Sequence, residues 1–330
     1  MDKQQIPPNV KIWQLGWGFA NTNVIYALVK SNVIEQLRES AKTLEQLSSE
    51  CKLNSNVLFR ILRFAIAIDL IALSNNQYSL TETGRFLLKD IPGTLYGGMM
   101  LIGTEPWQKS WNNLLHALTT GEASFDIAMG NPFFDFLNKH PEYGEPYNKW
   151  MTTVTIMTSK VIPEAYDFSN YKTVCDIGGG QGLLLKGILT QNPKLNGILY
   201  DQESVVKDHL LGEMINRTEI NSGNFFESVP TADVLMMKSV LHDWDDTKSL
   251  QILDTCKKAM SQNTKLLIIE MVISGSSDLM GLCYDLHMQV ILAGKERTED
   301  EFRILFHKAG LKLNRIITTK SPMKILEVTL

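Results

Sequence analysis

From about residue 170 the chain alternates short apolar runs with amphipathic stretches: "KTVCDI", "GLLLKGILTQN", "NGILYD", "ADVLMMKSV", "SLQILDTCKKAM", "KLLIIEMVI", "TEDEFRILFHKAG" and "KILEVTL". Apolar runs without polar alternation read as strands buried on both faces, and the helices between them are the crossovers that make such strands parallel. The pattern predicts an α/β domain, a mostly parallel sheet with helices on both sides.

The first half follows a different rule. Residues 10 to about 165 carry apolar side chains at three- and four-residue spacings, as in "NVIYALVKSNVIEQL" and "VLFRILRFAIAIDLIAL", which predicts helices. Within it, "TLEQLSSECKLNSNVLFRILRFAIAIDLI" followed by "ALSNNQYSLTETGRFL" reads as helix, turn, helix and a β-hairpin turning at Asn75-Asn76, a winged-helix order. Such a motif can place its second helix in the major groove of DNA. Here residues 41 to 90 hold six basic side chains (Lys42, Lys52, Arg60, Arg63, Arg85, Lys89) against five acidic ones (Glu45, Glu50, Asp69, Glu82, Asp90). The second helix is mostly Leu, Ile, Phe and Ala, with only Arg60 and Arg63 for phosphates, so packing or subunit pairing is the expectation. The polar "AYDFSNYK" marks the boundary before the first strand of the sheet.

Charge narrows the function further. Lys and Arg total 32 against 36 Asp and Glu, a net charge of -4 that makes no case for nucleic acid or an anionic membrane. The N-terminus lacks a basic segment followed by an apolar core and cleavage site, and no run of about 18 uncharged apolar residues occurs, so a cytoplasmic protein is expected. Cys51, Cys175, Cys256 and Cys283 form no C-x-x-C pair and are expected as free, mostly buried thiols.

"VCDIGGGQG", residues 174 to 182, follows an apolar strand and opens a helix, so its backbone must turn sharply and can approach a ligand. A dinucleotide fingerprint requires glycine where this chain has Leu183. The spacing is instead Gly178-x-Gly180-x-Gly182 with Asp176 upstream, the D-x-G-x-G-x-G pattern of S-adenosylmethionine binders; a tight turn without ligand is the alternative. "GILYD" ends in Asp201, where a carboxylate can accept from both hydroxyls of a ribose, a feature that also suits NAD. Asn224 and Phe225 stand at another expected strand end, and Lys238 closes the strand before "KSVLHDWDD".

That last stretch sets one imidazole and one indole among three aspartates. As a metal cage it lacks partners, because His116, His140, His209, His287 and His307 form no H-x-H or H-x-x-x-H pair, and no glycine-spaced calcium loop surrounds Asp243, Asp245 and Asp246. Asp245 or Asp246 is expected to cap the helix that follows. Capping does not explain the histidine.

Five stretches, "VCDIGGGQG", "LYD", "GNFFESVPTADVLMMKSVLHDWDD", "LLIIE" and "GKERTEDEF", occur in an order and spacing that resembles the class I S-adenosylmethionine-dependent O-methyltransferases. The resemblance is to the metal-independent branch with plant caffeic acid, vertebrate acetylserotonin and bacterial polyketide and phenazine enzymes, and covers essentially the whole chain. It implies a Rossmann-like, seven-stranded methyltransferase domain over residues 166–330, preceded by an all-helical, winged-helix-like dimerisation domain over 1–100 and a helical linker over 101–165 that contributes to the acceptor pocket.

The resemblance also assigns roles. Gly178 and Gly180, after Asp176, approach the methionine portion of S-adenosylmethionine; Asp201 takes the ribose; Asn224 and Phe225 border adenine; Lys238 flanks the nucleoside. S-adenosylhomocysteine is the implied product, and no metal is implied. His242 is the implied base, bracketed by Glu270 and Glu296. An imidazole with a usual pKa near 6.5 facing a phenol near 10 supplies the driving force for proton transfer when positioned within hydrogen-bond reach. Glu296 has another reading as part of a helix entry, although the T-x-x-E capping box starting at Thr298 uses Glu301. "YNKWMTTVTIM" and "YDLHMQVILAG" resemble acceptor-facing segments, so Trp150, Met151, Met157, Asp285, His287 and Met288 are candidate contacts to a small aromatic acceptor, with plain core as the alternative; Asp285 could also pair with Arg297. One departure stands out: the family's "GDFF" aspartate is Asn224 here, which lowers the expected cofactor affinity. A homodimer is expected. The competing readings are a relative of the same fold that hydroxylates or decarboxylates, and a winged-helix regulator.

Overall fold

The computed structural model describes residues 6–330, the Met157 side chain excepted. It comprises two compact units: one holds the residues up to Gln108 together with His140–Trp150, the other Lys109–Lys139 together with Met151–Leu330.

In the first unit, helix Leu44–Glu50 starts at a capping box between Thr43 and Gln46, and the Asn54 side chain caps helix Ser55–Ala67. Strands β1 (Ile71–Ser74) and β2 (Gln77–Leu80) pair antiparallel. Asn75 and Asn76 between them have φ of 49° and 61°, the left-handed pair that a two-residue hairpin of this hand requires. Leu28, Val33, Ile34, Leu47, Leu62 and Ile71 close the core, which completes the winged-helix order expected from the sequence. Helix Pro8–Gly16 buries none of its residues.

The second unit is built on β3 (Thr173–Ile177), β4 (Asn196–Asp201), β5 (Thr218–Ser222), β6 (Val234–Lys238), β7 (Lys265–Ile273), β8 (Arg297–Thr298), β9 (Lys312–Thr318) and β10 (Met323–Thr329). The sheet runs in the order β5-β4-β3-β6-β7-β10-β9, with the short β8 beside β7. All pairings are parallel except those of β10 with β7 and β9. The continuous apolar strands feed both faces: Cys175, Leu235, Met237 and Ile268 pack on one side, Val174, Met236, Leu267 and Ile269 on the other. Edge strand β9 was not among the expected strands. Its "KLNRIIT" exposes Lys312, Asn314 and Arg315, charges and polar groups that conceal a strand in the sequence and protect a sheet edge in the fold.

Chain order reverses beside β3, which has β4 on one side and β6 on the other. In open parallel sheets the crevice outside the carboxyl ends at such a reversal is where ligands bind. Asp176, Lys238 and Glu270 all stand toward that end of β3, β6 and β7. Cys175 and Cys256 are buried free thiols, with burial holding the Cys256 thiol up to about 12. Cys51 is half-buried and Cys283 exposed. Among the described residues no helix is long and apolar enough to cross a membrane.

The Thr298 capping box is formed with Glu301 and opens helix Glu299–Lys308, whose Phe302, Leu305 and Phe306 enter the core. Thr298→Ala removes the acceptor for the Glu301 N–H and is expected to cost about 1 kcal/mol, read as a lower denaturant midpoint.

Candidate active site

After β3 the backbone takes three left-handed glycines, with φ of 67° at Gly178, 58° at Gly180 and 80° at Gly182. A Cβ on Gly178 would sit 2.8 Å from Val240 Cγ2, whereas one on Gly180 would meet nothing within 4 Å, so the chain at Gly180 is open to a ligand. Asp201 accepts from Gly180 N–H at 2.9 Å through Oδ2 and from Gln202 N–H at 2.7 Å through Oδ1. Each oxygen retains a lone pair for a hydroxyl donor. Asp176 is buried, and its Oδ2 has no hydrogen-bond partner among the described residues. Burial pushes its carboxyl up to about 7, against the pull of Lys238 and with a contribution from Asp201.

Phe225 reaches the glycine bend: its ring lies 4.0 Å from where a Gly178 Cβ would be, and it clusters with Phe226 and Trp244. Asn224 is already engaged, its Oδ1 accepting from Phe226 N–H at 3.0 Å and its Nδ2 donating to Glu227 Oε1 at 2.9 Å. The negative charge that the family has at this position stands one step away, on Glu227. Lys238 donates to Ser239 Oγ at 3.2 Å. Burial lowers its pKa, opposed by the nearby charges of Glu270, Asp176 and Asp243.

Beyond β6, Ser239 adopts a left-handed φ of 55° and the chain enters the one-turn helix Leu241–Asp243. Glu270, fully buried on β7, accepts from the N–H groups of Val240 and Leu241 at 3.0 Å each. Three consecutive residues hold the same turn from the other side. Lys295 N–H donates to His242 O at 2.9 Å, and Glu296 Oε1 bonds His242 Nδ1 at 2.8 Å. Arg297, 1% exposed, donates to Leu241 O at 3.1 Å and Trp244 O at 3.0 Å while pairing with Asp246 at 2.8 Å. Asp245 caps the following helix through Lys248 N–H, as expected of one of the two aspartates.

Because a carboxylate only accepts, the bond to Glu296 places a proton on His242 Nδ1 and leaves the lone pair of the neutral ring on Nε2. Glu270 Oε2 lies 3.7 Å from Nδ1, and Asp243 Oδ1 3.3 Å from Nε2. Burial disfavours the imidazolium and is the largest single influence; Glu270, Asp243 and Glu296 together outweigh it and hold His242 up to about 10. Burial in turn pushes Glu270 up to about 7 and Asp243 to about 6, with the charge of His242 pulling both down and Glu296 pushing both up. Glu270 Oε2 and Glu296 Oε2 are buried without a partner among the described residues.

His242, Glu270 and Glu296 offer three donor atoms within 4.8 Å of one another, so a metal is the other chemical use of this cluster. An ion ligated through Nδ1 needs that nitrogen deprotonated, but the carboxylate of Glu296 holds a proton there, and the surrounding charge strengthens that hold. The donor set fits a shared proton better than a divalent cation.

Helix Leu279–Leu292 brings up Asp285, His287 and Met288 and packs against the His242 turn. Pairing of Asp285 with Arg297 is overturned: Asp285 Oδ1 accepts from Glu296 N–H at 3.0 Å, while Arg297 takes Asp246 because Asp246 opens the helix that the guanidinium spans. Asp285 therefore orients Glu296. His287 accepts from Trp111 Nε1–H at 3.3 Å. Trp150 belongs to the first unit, where its indole packs on Gly97 and Gly98; Met151 belongs to the second; the Met157 side chain lies outside the described residues. Sequence reasoning gave Asp243, Trp111 and Arg297 no site role. The adjacency of Asp243 to His242 was a usable signal. Trp111 stands 176 positions from its partner, and nothing local announces it.

Residues 111–312 match the model of the O-methyltransferase domain. The chain belongs to the O-methyltransferase family. It is 33% identical over 98% of its length to a phenazine O-methyltransferase of Lysobacter antibioticus, 96% of which is covered. Its fold superposes with a TM-score of 0.89 on the methyltransferase of calicheamicin biosynthesis solved with S-adenosylhomocysteine, at 28% identity and covering 100% of this chain and 99% of that one. It superposes at 0.79, with 26% identity and 94% and 96% coverage, on the neocarzinostatin-pathway O-methyltransferase solved with S-adenosylmethionine and 2-hydroxy-5-methyl naphthoic acid.

This O-methyltransferase is S-adenosylmethionine-dependent, and its own residues fit that group. The open backbone at Gly180, the spare lone pairs of Asp201 and the partnerless Asp176 Oδ2 offer room, ribose acceptors and an acidic oxygen for a cationic nucleoside. Glu227 sets the consequence of Asn224. Asn224→Asp would face two carboxylates across the present 2.9 Å contact. It is expected to leave the dissociation constant for S-adenosylhomocysteine within about threefold, whereas Asn224→Asp with Glu227→Gln tightens it, both read by calorimetry.

The pH dependence of stability follows from His242. Its folded pKa of about 10 lies above the ordinary 6.5, so the folded protein binds a proton that the unfolded chain releases. Stability from this source is full below 6.5 and lost as pH rises through about 10. Thermal unfolding of the ligand-free protein should show a falling transition temperature across that window, and His242→Gln should flatten it.

Proposed function

We propose that this enzyme methylates a hydroxyl, phenolic in the favoured reading, on a small aromatic secondary metabolite, with His242 as general base. The observation that carries the reading is the 2.8 Å bond from His242 Nδ1 to Glu296, which leaves Nε2 as the basic nitrogen at the carboxyl end of the sheet. Similarity to enzymes named for phenazine and mitomycin substrates supports an aromatic acceptor.

When bound, S-adenosylmethionine supplies an electrophilic methyl group on a positively charged sulfur, and that charge disfavours the imidazolium form. His242 then takes the acceptor's hydroxyl proton at Nε2. Glu296 keeps the ring oriented through Nδ1, Glu270 holds the turn through two backbone N–H groups, and Asp243 receives the new positive charge beside Nε2. Holding the two reactants together lowers the barrier by roughly 7–11 kcal/mol at best. The helix Pro8–Gly16, with Ile12, Trp13 and Leu15 exposed at 72%, 69% and 71%, supports a homodimer formed through the N-terminal region.

With labelled S-adenosylmethionine and a panel of phenols, the product should gain one CH2, and EDTA should leave the rate unchanged. His242→Ala should cut turnover by about 10²–10⁴ while S-adenosylhomocysteine still binds. In the parent enzyme at saturating cofactor, turnover should rise with pH as His242 loses its proton. Normal turnover in His242→Ala would sink the mechanism.

A further inference from the structure

In their neutral forms the two histidines near the site keep the proton on different nitrogens. Trp111 and His287 lie with their rings within 14° of parallel, and Trp111 Nε1 is 3.3 Å from His287 Nδ1. An indole N–H can only donate, so His287 Nδ1 must present its lone pair. An imidazolium has none to present and cannot make this bond. The ring is therefore neutral with its proton on Nε2, the reverse of His242, whose carboxylate partner fixes the proton on Nδ1. Nε2 of His287 has no hydrogen-bond partner among the described residues. Burial holds the His287 pKa down to about 4, and the nearby charge of His242 adds to that effect.

We propose that His287 is a specificity-determining donor: its Nε2–H bonds a second lone-pair atom of the acceptor, a carbonyl, carboxylate or ring nitrogen close to the hydroxyl that reacts. This rests on the reading of the enzyme as a phenol methyltransferase and adds what the acceptor must carry. The geometry separates two tasks. The helix Leu279–Leu292 carries His287 and packs on the turn that carries His242, and the charge of His242 acts on His287. His242 can change protonation and does the proton transfer; His287 cannot, and so offers the same donor at every pH at which the base works. An acceptor lacking the second atom leaves that N–H unsatisfied once water is displaced, which costs affinity.

Nitrogen-15 spectra of histidine-labelled enzyme test the tautomer without any turnover. His287, assigned by its loss in His287→Phe, should show an Nε2–H ring that does not titrate between pH 5 and 9. Titration in that range, or an Nδ1–H ring, overturns the proposal. Kinetics test the role, using matched phenols from the panel with and without a carbonyl next to the hydroxyl. His287→Phe should reduce the ratio of kcat/KM between the members of a pair by about tenfold, and His287→Gln, which restores an N–H donor, should recover part of it. Trp111→Phe should also lower the ratio by freeing the tautomer. Equal losses on both phenols in His287→Phe mean a packing role and overturn the proposal. Failure of the base assignment appears elsewhere, as full turnover in His242→Ala.

Discussion

Everything at the candidate site depends on the way residues 295 to 297 grip the turn that carries His242. One backbone N–H, one carboxylate and one guanidinium, supplied in succession, hold the His242 carbonyl, its Nδ1 and the carbonyls on either side of it. The grip leaves no space for error: a Cβ on the preceding Gly294 would lie 2.1 Å from His242 O. Arg297 is one of the largest fully buried side chains, with a single half-exposed carboxylate for charge balance. A buried cation is a poor source of stability, and what Arg297 does here is fix the Leu241 and Trp244 carbonyls, the Ser249 hydroxyl and Asp246 around one imidazole.

The same region concentrates negative charge that burial alone would not tolerate. Asp176, Glu270 and Glu296 each keep an oxygen without a hydrogen-bond partner among the described residues, and Lys238 and His242 stand beside them, the carboxylates raising the pKa of His242. Pairs of titratable groups pushed toward one another's range are a mark of sites that move protons. In the free protein the surrounding carboxylates favour the proton on His242, so the proposed base role requires a change in the surrounding charge. A cationic cofactor changes the charge in the required direction. In the proposed mechanism, activation of His242 as a base is thus coupled to occupancy of the site.

Much of this was legible in the sequence because the responsible features are local. Apolar runs at strand length gave the parallel sheet, the glycine spacing gave the bend, Asn75-Asn76 gave the hairpin, and Thr298 with Glu301 gave a helix entry that left Glu296 unused by the cap. The two glutamates near His242 were reached through resemblance rather than spacing, since Glu270 and Glu296 are 28 and 54 residues away and meet it only when β7 and β8 lie side by side. What stayed hidden depended on side chains choosing between partners. Asp285 had Arg297 and a substrate hydroxyl as conceivable partners and took the Glu296 N–H instead. Asn224 had an adenine and took Phe226 and Glu227. Strand β9 exposes Lys312, Asn314 and Arg315 at a sheet edge, and an edge does not read as core.

The division between legible and hidden follows the division between chemistry and selectivity. Proton transfer needs an imidazole, a carboxylate and a strand end, and a sequence can carry those as a short motif such as "HDWDD". The proposed selectivity rests on a second ring held in one tautomer, and that tautomer is set by an indole from another helix, 176 positions away. The stretch "YDLHMQVILAG" marks His287 as a candidate acceptor contact, but nothing beside Trp111 in the sequence marks the indole that sets its tautomer. Exchanging either could redirect the enzyme toward a different acceptor while leaving the base, its two glutamates and the glycine bend untouched.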